Sequence, residues 1–181
     1  MDSQWDFDLI DDRGLVEECN VNASNKITTK FEEFKTLVFF DTGYLEPETA
    51  ATLLKFINSG ARIIVLNMPD TELTDFFKEI KEKLIVVQDI AELINYMETN
   101  LKKDFQLTNP DKKVWYLHKK NGGNDLYFIY NRSNLEKEIT VNVNKTGKME
   151  LFYPLTGERK SINNLNNIQL PEKSAIILKI Y

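Results

Sequence analysis

Between Thr36 and Leu66, two short apolar runs, Leu37 to Phe40 and Ile63 to Leu66, flank a stretch with helical spacing. Short runs rich in β-branched and aromatic residues suit buried parallel strands, and parallel neighbours need a long crossover that a helix supplies. Pro47 fits a first helical turn, where its missing N–H has no partner to lose, and Gly60 fits the left-handed residue that ends a helix. Between them Ala50, Leu53, Leu54 and Ile57 fall on one face. The stretch therefore predicts a strand-helix-strand unit and, around it, a parallel sheet with flanking helices.

The same alternation continues downstream. After Leu66, Asp70 or Thr71 can cap a helix carrying Leu73, Phe76, Phe77 and Ile80, and Leu84 to Val87 is strand-like. Asp89 can cap a further helix whose Ile90, Leu93, Ile94, Met97 and Leu101 form a stripe. Ahead of the central unit, residues 7–10 (FDLI) predict a short strand, Asp12 to Cys19 a weak helix with Leu15 and Val16 as apolar contacts, and Lys26 to Phe34 a small edge strand.

At Lys102 to Lys113 charge and a proline interrupt the periodicity, as in a linker. Beyond it come strand-length runs: Val114 to His118, Leu126 to Tyr130, Glu138 to Val143, Lys148 to Tyr153, Asn167 to Leu170 and Ala175 to Ile180, separated by glycine-containing turns. From Glu138 to Val143 the odd-numbered residues are apolar and the even ones polar, so one face packs and the other is wet. The expected organisation is an αβ domain over 1–104 and a small antiparallel β-sandwich over 112–181, because a run of αβ elements and a run of strands build different layers.

The 181 residues carry a net charge of about −5, which gives no general attraction to phosphate backbones, and no basic stripe stands out; nucleic acid is not an expected partner. No apolar run approaches the roughly 20 residues that cross a bilayer, and the acidic opening MDSQWDFDLIDD is unlike a signal peptide. No membrane association is expected, and the chain as given reads as cytoplasmic, while a longer parent protein is compatible with export. One cysteine, Cys19, and one histidine, His118, leave no cluster for zinc, and no cofactor is expected.

The residues offer little catalytic machinery. His118 is the sole imidazole, but on a strand with no nucleophile in reach it reads as structural. Cys19 lies beside Glu17 and Glu18, which raise a thiol pKa, so it too reads as structural. Asp8, Asp11 and Asp12 cluster near the start, and Asp41 follows the first central strand at its carboxyl end, where open α/β sheets bind ligands. The turn Asp41-Thr42-Gly43-Tyr44 has a single glycine and is neither a dinucleotide fingerprint nor a phosphate loop. Among Trp115, Tyr116, Tyr127, Phe128, Tyr130, Phe152 and Tyr153, alternation sends about half to the core and leaves the others as a candidate sugar-stacking surface. No residue is assigned a catalytic role. Asp41, Tyr44, Trp115 and His118 are the candidate ligand or interface residues.

The run from Tyr44-Leu45-Glu46-Pro47 through Ser59-Gly60-Ala61-Arg62-Ile63-Ile64 resembles the glutamine-amidotransferase-like (flavodoxin-like) accessory domain of multidomain glycoside hydrolases. Leu117-His118-Lys119-Lys120, Asp125 to Asn131, Tyr153-Pro154-Leu155-Thr156-Gly157 and Leu170-Pro171 are similar to the small β-domain that follows it. Family 106 α-L-rhamnosidase-type proteins and family 42 β-galactosidases, with their trimerisation domain, carry this pair. The resemblance implies a non-catalytic accessory region, in carbohydrate metabolism, that packs against or oligomerises a catalytic barrel encoded elsewhere; a stand-alone carbohydrate-binding or protein-interaction module is the alternative. It implies no catalytic residue here, since such enzymes keep theirs on a (β/α)8 barrel. Amidotransferase activity would need a cysteine on the turn after a central strand, where Asp41-Thr42-Gly43 and Asn67-Met68-Pro69 stand instead. The αβ part is short for a complete flavodoxin-like domain, so the chain is expected to be a piece of a longer protein.

Overall fold

The computed structural model describes residues 3–40, 45–67 and 81–181. They form two compact units: Leu9–Leu101, and a second that joins the residues up to Asp8 with Lys102–Tyr181. The αβ unit is thus inserted between two parts of the β-unit's sequence.

In the αβ unit, β4 (Leu37–Phe40), β5 (Ile63–Leu66) and β6 (Ile85–Val87) make a parallel three-stranded sheet in the order β4-β5-β6. All four residues of β5 are buried because both faces are covered. Ile63 and Val65 join Leu53, Phe56 and Ile57 of α2 (Pro47–Asn58), together with Leu15 of α1 (Asp12–Glu18). Ile64 and Leu66 point the other way, toward Leu93 and Tyr96 of α3 (Ile90–Asn100). Strand alternation therefore divides one apolar run between two cores.

The helix boundaries follow from their end groups. Pro47 opens α2, and at its other end Gly60, with φ +82°, lets the Gly60 and Ala61 amides donate to the carbonyls of Ile57 and Phe56, the paired bonds of a Schellman stop. Asp89 caps α3 by accepting from the Glu92 amide at 2.8 Å. No residue of α3 is fully buried and Ile90 is 63% exposed; of the expected stripe Leu93 packs on the sheet, joined by Tyr96 from outside that stripe. Residues 7–10 form no strand. Residues 20–34 form a separate antiparallel meander of β1 (Asn20–Val21), β2 (Ile27–Thr28) and β3 (Glu33–Phe34) instead of adding an edge to the parallel sheet. The helix expected to start at Asp70 or Thr71 lies outside the described residues.

The β-unit holds a five-stranded antiparallel sheet in the order β13-β12-β15-β9-β8, built from β8 (Val114–Asn121), β9 (Asn124–Asn131), β12 (Met149–Tyr153), β13 (Glu158–Ile162) and β15 (Ala175–Ile180). Across a shared core lie two antiparallel pairs, β7 (Phe105–Leu107) with β11 (Val141–Val143), and β10 (Lys137–Ile139) with β14 (Ile168–Leu170). The alternating segment 138–143 is broken at Thr140, so Ile139 and Val141 reach the same core from two different pairings. β7 lies inside the stretch expected as a linker: Phe105 and Leu107 are each 1% exposed, with Gln106 turned outward between them. Among the described residues, no helix is long and apolar enough to cross a membrane.

Gly147 marks a point where backbone meets backbone. Its φ is +157°, and an added Cβ would stand 2.3 Å from the Tyr181 carbonyl oxygen, beside the Tyr181 amide bond to Lys148. Gly147→Ala is expected to cost about 2–4 kcal/mol through strain and displacement of the last strand, measured by urea denaturation.

Candidate functional site: the His118 cluster

Strand β8 alternates buried and outward residues, which puts Tyr116 on the core side and Trp115 on the outer face. At His118 the pattern meets charge. Asp104, just ahead of β7, and Asp125, opposite Lys120 in the β8-β9 hairpin, approach the ring from two sides. Nδ1 of His118 is 2.7 Å from Asp104 Oδ2, and Nε2 is 2.8 Å from Asp125 Oδ1. The ring stacks on Tyr127 with centroids 4.2 Å apart and planes 5° from parallel. Tyr116 donates its hydroxyl to Asp104 at 3.0 Å, and Lys145 pairs with Asp125 at 3.2 Å. The His118 side chain is 14% exposed.

Two carboxylates at hydrogen-bond distance from both ring nitrogens favour the doubly protonated ring, because only the imidazolium donates from both. Burial by itself lowers the His118 pKa, but the bonds to Asp104 and Asp125 outweigh it and hold the ring above its ordinary 6.5. For Asp104 burial is again the largest influence and acts upward, yet the bonds from His118 and Tyr116 leave its carboxyl below the usual range. Tyr116 and Tyr127 are pushed up, first by burial and then by the neighbouring carboxylates. A ring held as a cation, with both nitrogens engaged, has no lone pair to accept a proton. The arrangement ties β8 to β9 and to the residue ahead of β7.

A short N-terminal stretch completes the cluster. The His118 backbone N–H donates to Asp6 Oδ2 at 2.9 Å, Lys119 pairs with Asp8 at 2.7 Å, the Leu107 amide donates to Gln4 Oε1 at 3.1 Å, and Lys103 donates to the Ser3 carbonyl at 2.8 Å. These partners lie about a hundred residues apart in sequence, which is why no local motif revealed them.

The other candidates scatter. Trp115 is on β8 with His118, but an odd separation sends their side chains to opposite faces, so the structure does not bring them together. The Arg132 guanidinium lies 3.7 Å from the centre of the Trp115 ring and covers one of its faces. Trp115→Ala is expected to cost about 1–2 kcal/mol through the lost ring burial and cation–π contact, measured by chemical denaturation. Of the seven aromatics, Tyr116, Tyr127 and Tyr153 serve the core, while Trp115, Phe128, Tyr130 and Phe152 share the outer face of the sheet. Asp41 and Tyr44 lie outside the described residues. Asp11 is a helix cap, accepting from the Gly14 amide at 2.8 Å. Cys19 is a buried thiol in the αβ core, its pKa raised first by burial and then by Glu18.

Comparison with known proteins places this architecture. A rhamnosidase from Novosphingobium sp. PP1Y superposes over 96% of this chain with a TM-score of 0.74 at 17% identity, and this chain spans 19% of that protein. An exo-carrageenase of family GH42 from Bacteroides ovatus aligns with 82% of this chain and 22% of its own length, at 19% identity and a TM-score of 0.49. No curated protein sequence matches. The sequence profile of glycoside hydrolase family 106, described as α-L-rhamnosidase, matches residues 1–165, so the chain belongs to that family.

Proposed function

We propose that this chain is a non-catalytic accessory region of a family 106 glycoside hydrolase, with its αβ unit a short flavodoxin-like domain and its β-unit the small sandwich that follows. The observation that carries this reading is one of extent: nearly the whole fold superposes on a rhamnosidase five times longer, as one portion of a larger enzyme. The chemistry of the described site agrees, since the His118 ring is spent as a structural cation instead of serving as an acid or base. In this role the chain packs against, or oligomerises, a barrel that carries the catalytic carboxylates.

The test is an assay of the purified chain on aryl α-L-rhamnosides and aryl β-D-galactosides. No turnover above buffer is expected. Turnover abolished by a single carboxylate substitution would overturn the reading.

A further inference from the structure

We propose that the open edges of β7 and β8 form a recognition slot for an acidic peptide of the pattern Gln-x-Asp-x-Asp, and that residues 3–8 occupy it as a ligand in cis which the same segment of a second copy replaces. Among the described residues β7 pairs only with β11, and β8, the outermost strand of the five-stranded sheet, pairs only with β9. Each strand thus presents one row of backbone groups that no neighbouring strand takes up. Side chains of a single segment reach into both rows. The Leu107 N–H of β7 donates to Gln4 Oε1 at 3.1 Å, and the His118 N–H of β8 donates to Asp6 Oδ2 at 2.9 Å. Asp8 pairs with Lys119 at 2.7 Å. Lys103 donates to the Ser3 carbonyl at 2.8 Å, and its nitrogen lies 5.2 Å from the centre of the Trp5 ring.

This mode of binding selects composition. A strand added to an edge binds through its backbone, which is common to all sequences. Residues 3–8 form no strand, and except for the Ser3 carbonyl the oxygens that meet β7, β8 and the two lysines belong to the side chains of alternate residues, Gln4, Asp6 and Asp8. Carboxylates answer edge amides and lysines with charge-assisted bonds. An apolar or basic segment would leave the same donors unanswered.

The resident segment sits in the slot at a cost. Gln4, 3% exposed, has φ +57°, a left-handed conformation that residues other than glycine seldom adopt. Gln4 Nε2, Trp5 Nε1 and Asp6 Oδ1 are buried without a hydrogen-bond partner among the described residues. Such groups weaken the state that buries them. Strain and unmet polar atoms loosen the hold on residues 3–8 and open the slot to exchange. What the resident segment retains is its tether, which gives it an effective concentration on the order of millimolar.

The test uses the full chain carrying Gln4→Ala, Asp6→Ala and Asp8→Ala, together with a synthetic peptide of residues 3–8 with blocked ends. NMR follows the Leu107 and His118 amides. In the variant alone both signals are expected to leave their positions in the unmodified chain, and on titration with peptide to return saturably, at one peptide per chain. A peptide with alanine at all three positions is expected to bind at least about tenfold more weakly. Failure of the two amides to return overturns the proposal, and equal binding of the alanine peptide overturns the side-chain readout on which it rests. Should the triple variant fail to fold, the unmodified chain is titrated with a nitroxide-labelled peptide to roughly 10 mM, above the effective concentration of the tethered segment. Broadening at Leu107 and His118 supports exchange, and its absence overturns it. Neither measurement involves glycoside turnover, so the outcome is separate from that of the accessory reading.

Discussion

Asn131→Leu is expected to destabilise the β-unit by about 3–5 kcal/mol, a large fraction of what holds a small domain together. Asn131 has no exposed surface, and its side chain works as a junction. Nδ2 donates toward the carbonyls of Leu135, Leu170 and Pro171 at 2.8, 3.2 and 3.0 Å, and Oδ1 accepts from the Ser133 amide and hydroxyl at 3.0 and 2.7 Å. Leucine has nearly the same shape but neither donates nor accepts: the Leu135 and Pro171 carbonyls keep the Ser133 and Ser174 hydroxyls, while the buried Leu170 carbonyl and the Ser133 amide lose the Asn131 side chain, a loss that outweighs the gain in apolar burial. Circular dichroism during urea denaturation measures the loss. Asn131→Asp should be comparably damaging, since it replaces an NH2 donor shared among three carbonyls with a charge facing those oxygens. A midpoint within error of the unmodified chain in both variants would show that the junction contributes no net stability.

Phe105→Ala should cost about 3–5 kcal/mol, the usual range for removing a core aromatic. Phe105 is 1% exposed and stacks on Tyr116 with centroids 4.2 Å apart, with Tyr127 at 6.0 Å. Its loss opens a void beneath the two rings that flank the His118 cluster, so it should also loosen the hydrogen bond from Tyr116 to Asp104. Thermal denaturation gives the size of the effect. The His118 NMR signal separates a local cavity from a wider one, because a displaced Asp104 would lower the pKa of the ring. Phe105→Leu, which retains most of the volume, should recover more than half of the stability.

These two residues also show where the sequence was legible. The strand-helix-strand centre could be read because every signal there is local: a proline at the helix start, a glycine two residues after its end, and apolar runs with nothing polar to interrupt them. Strand β15 fell where its alternation placed it, at Ala175–Ile180. The sequence around Phe105 reads as a linker because only three residues separate the charge of Lys102 to Asp104 from Thr108-Asn109-Pro110, too few for a period of two to show. β13 gives no strand signal for a different reason: Glu158 to Ile162 is almost wholly polar and lies at a sheet edge, where pairing with β12 needs no apolar face. The His118 cluster was beyond local reading altogether. Its partners come from residues 3–8, the segment expected as a linker and the next strand, and they converge only once the registers of β7, β8 and β9 are known.

The insertion of the αβ unit within the sequence of the β-unit sets an order of events during synthesis. Residues 9–101 are contiguous and can fold as soon as they leave the ribosome, whereas Asp6 must wait for His118, 112 residues later. At about 5–20 residues per second, that interval is roughly 6–22 s, long compared with the time in which a helix or hairpin forms. For all of that time residues 3–8, with the indole of Trp5 among them, are without the strands they bond to. The β-unit, built from stretches on both sides of residues 9–101, is thus completed after the unit inserted in its sequence.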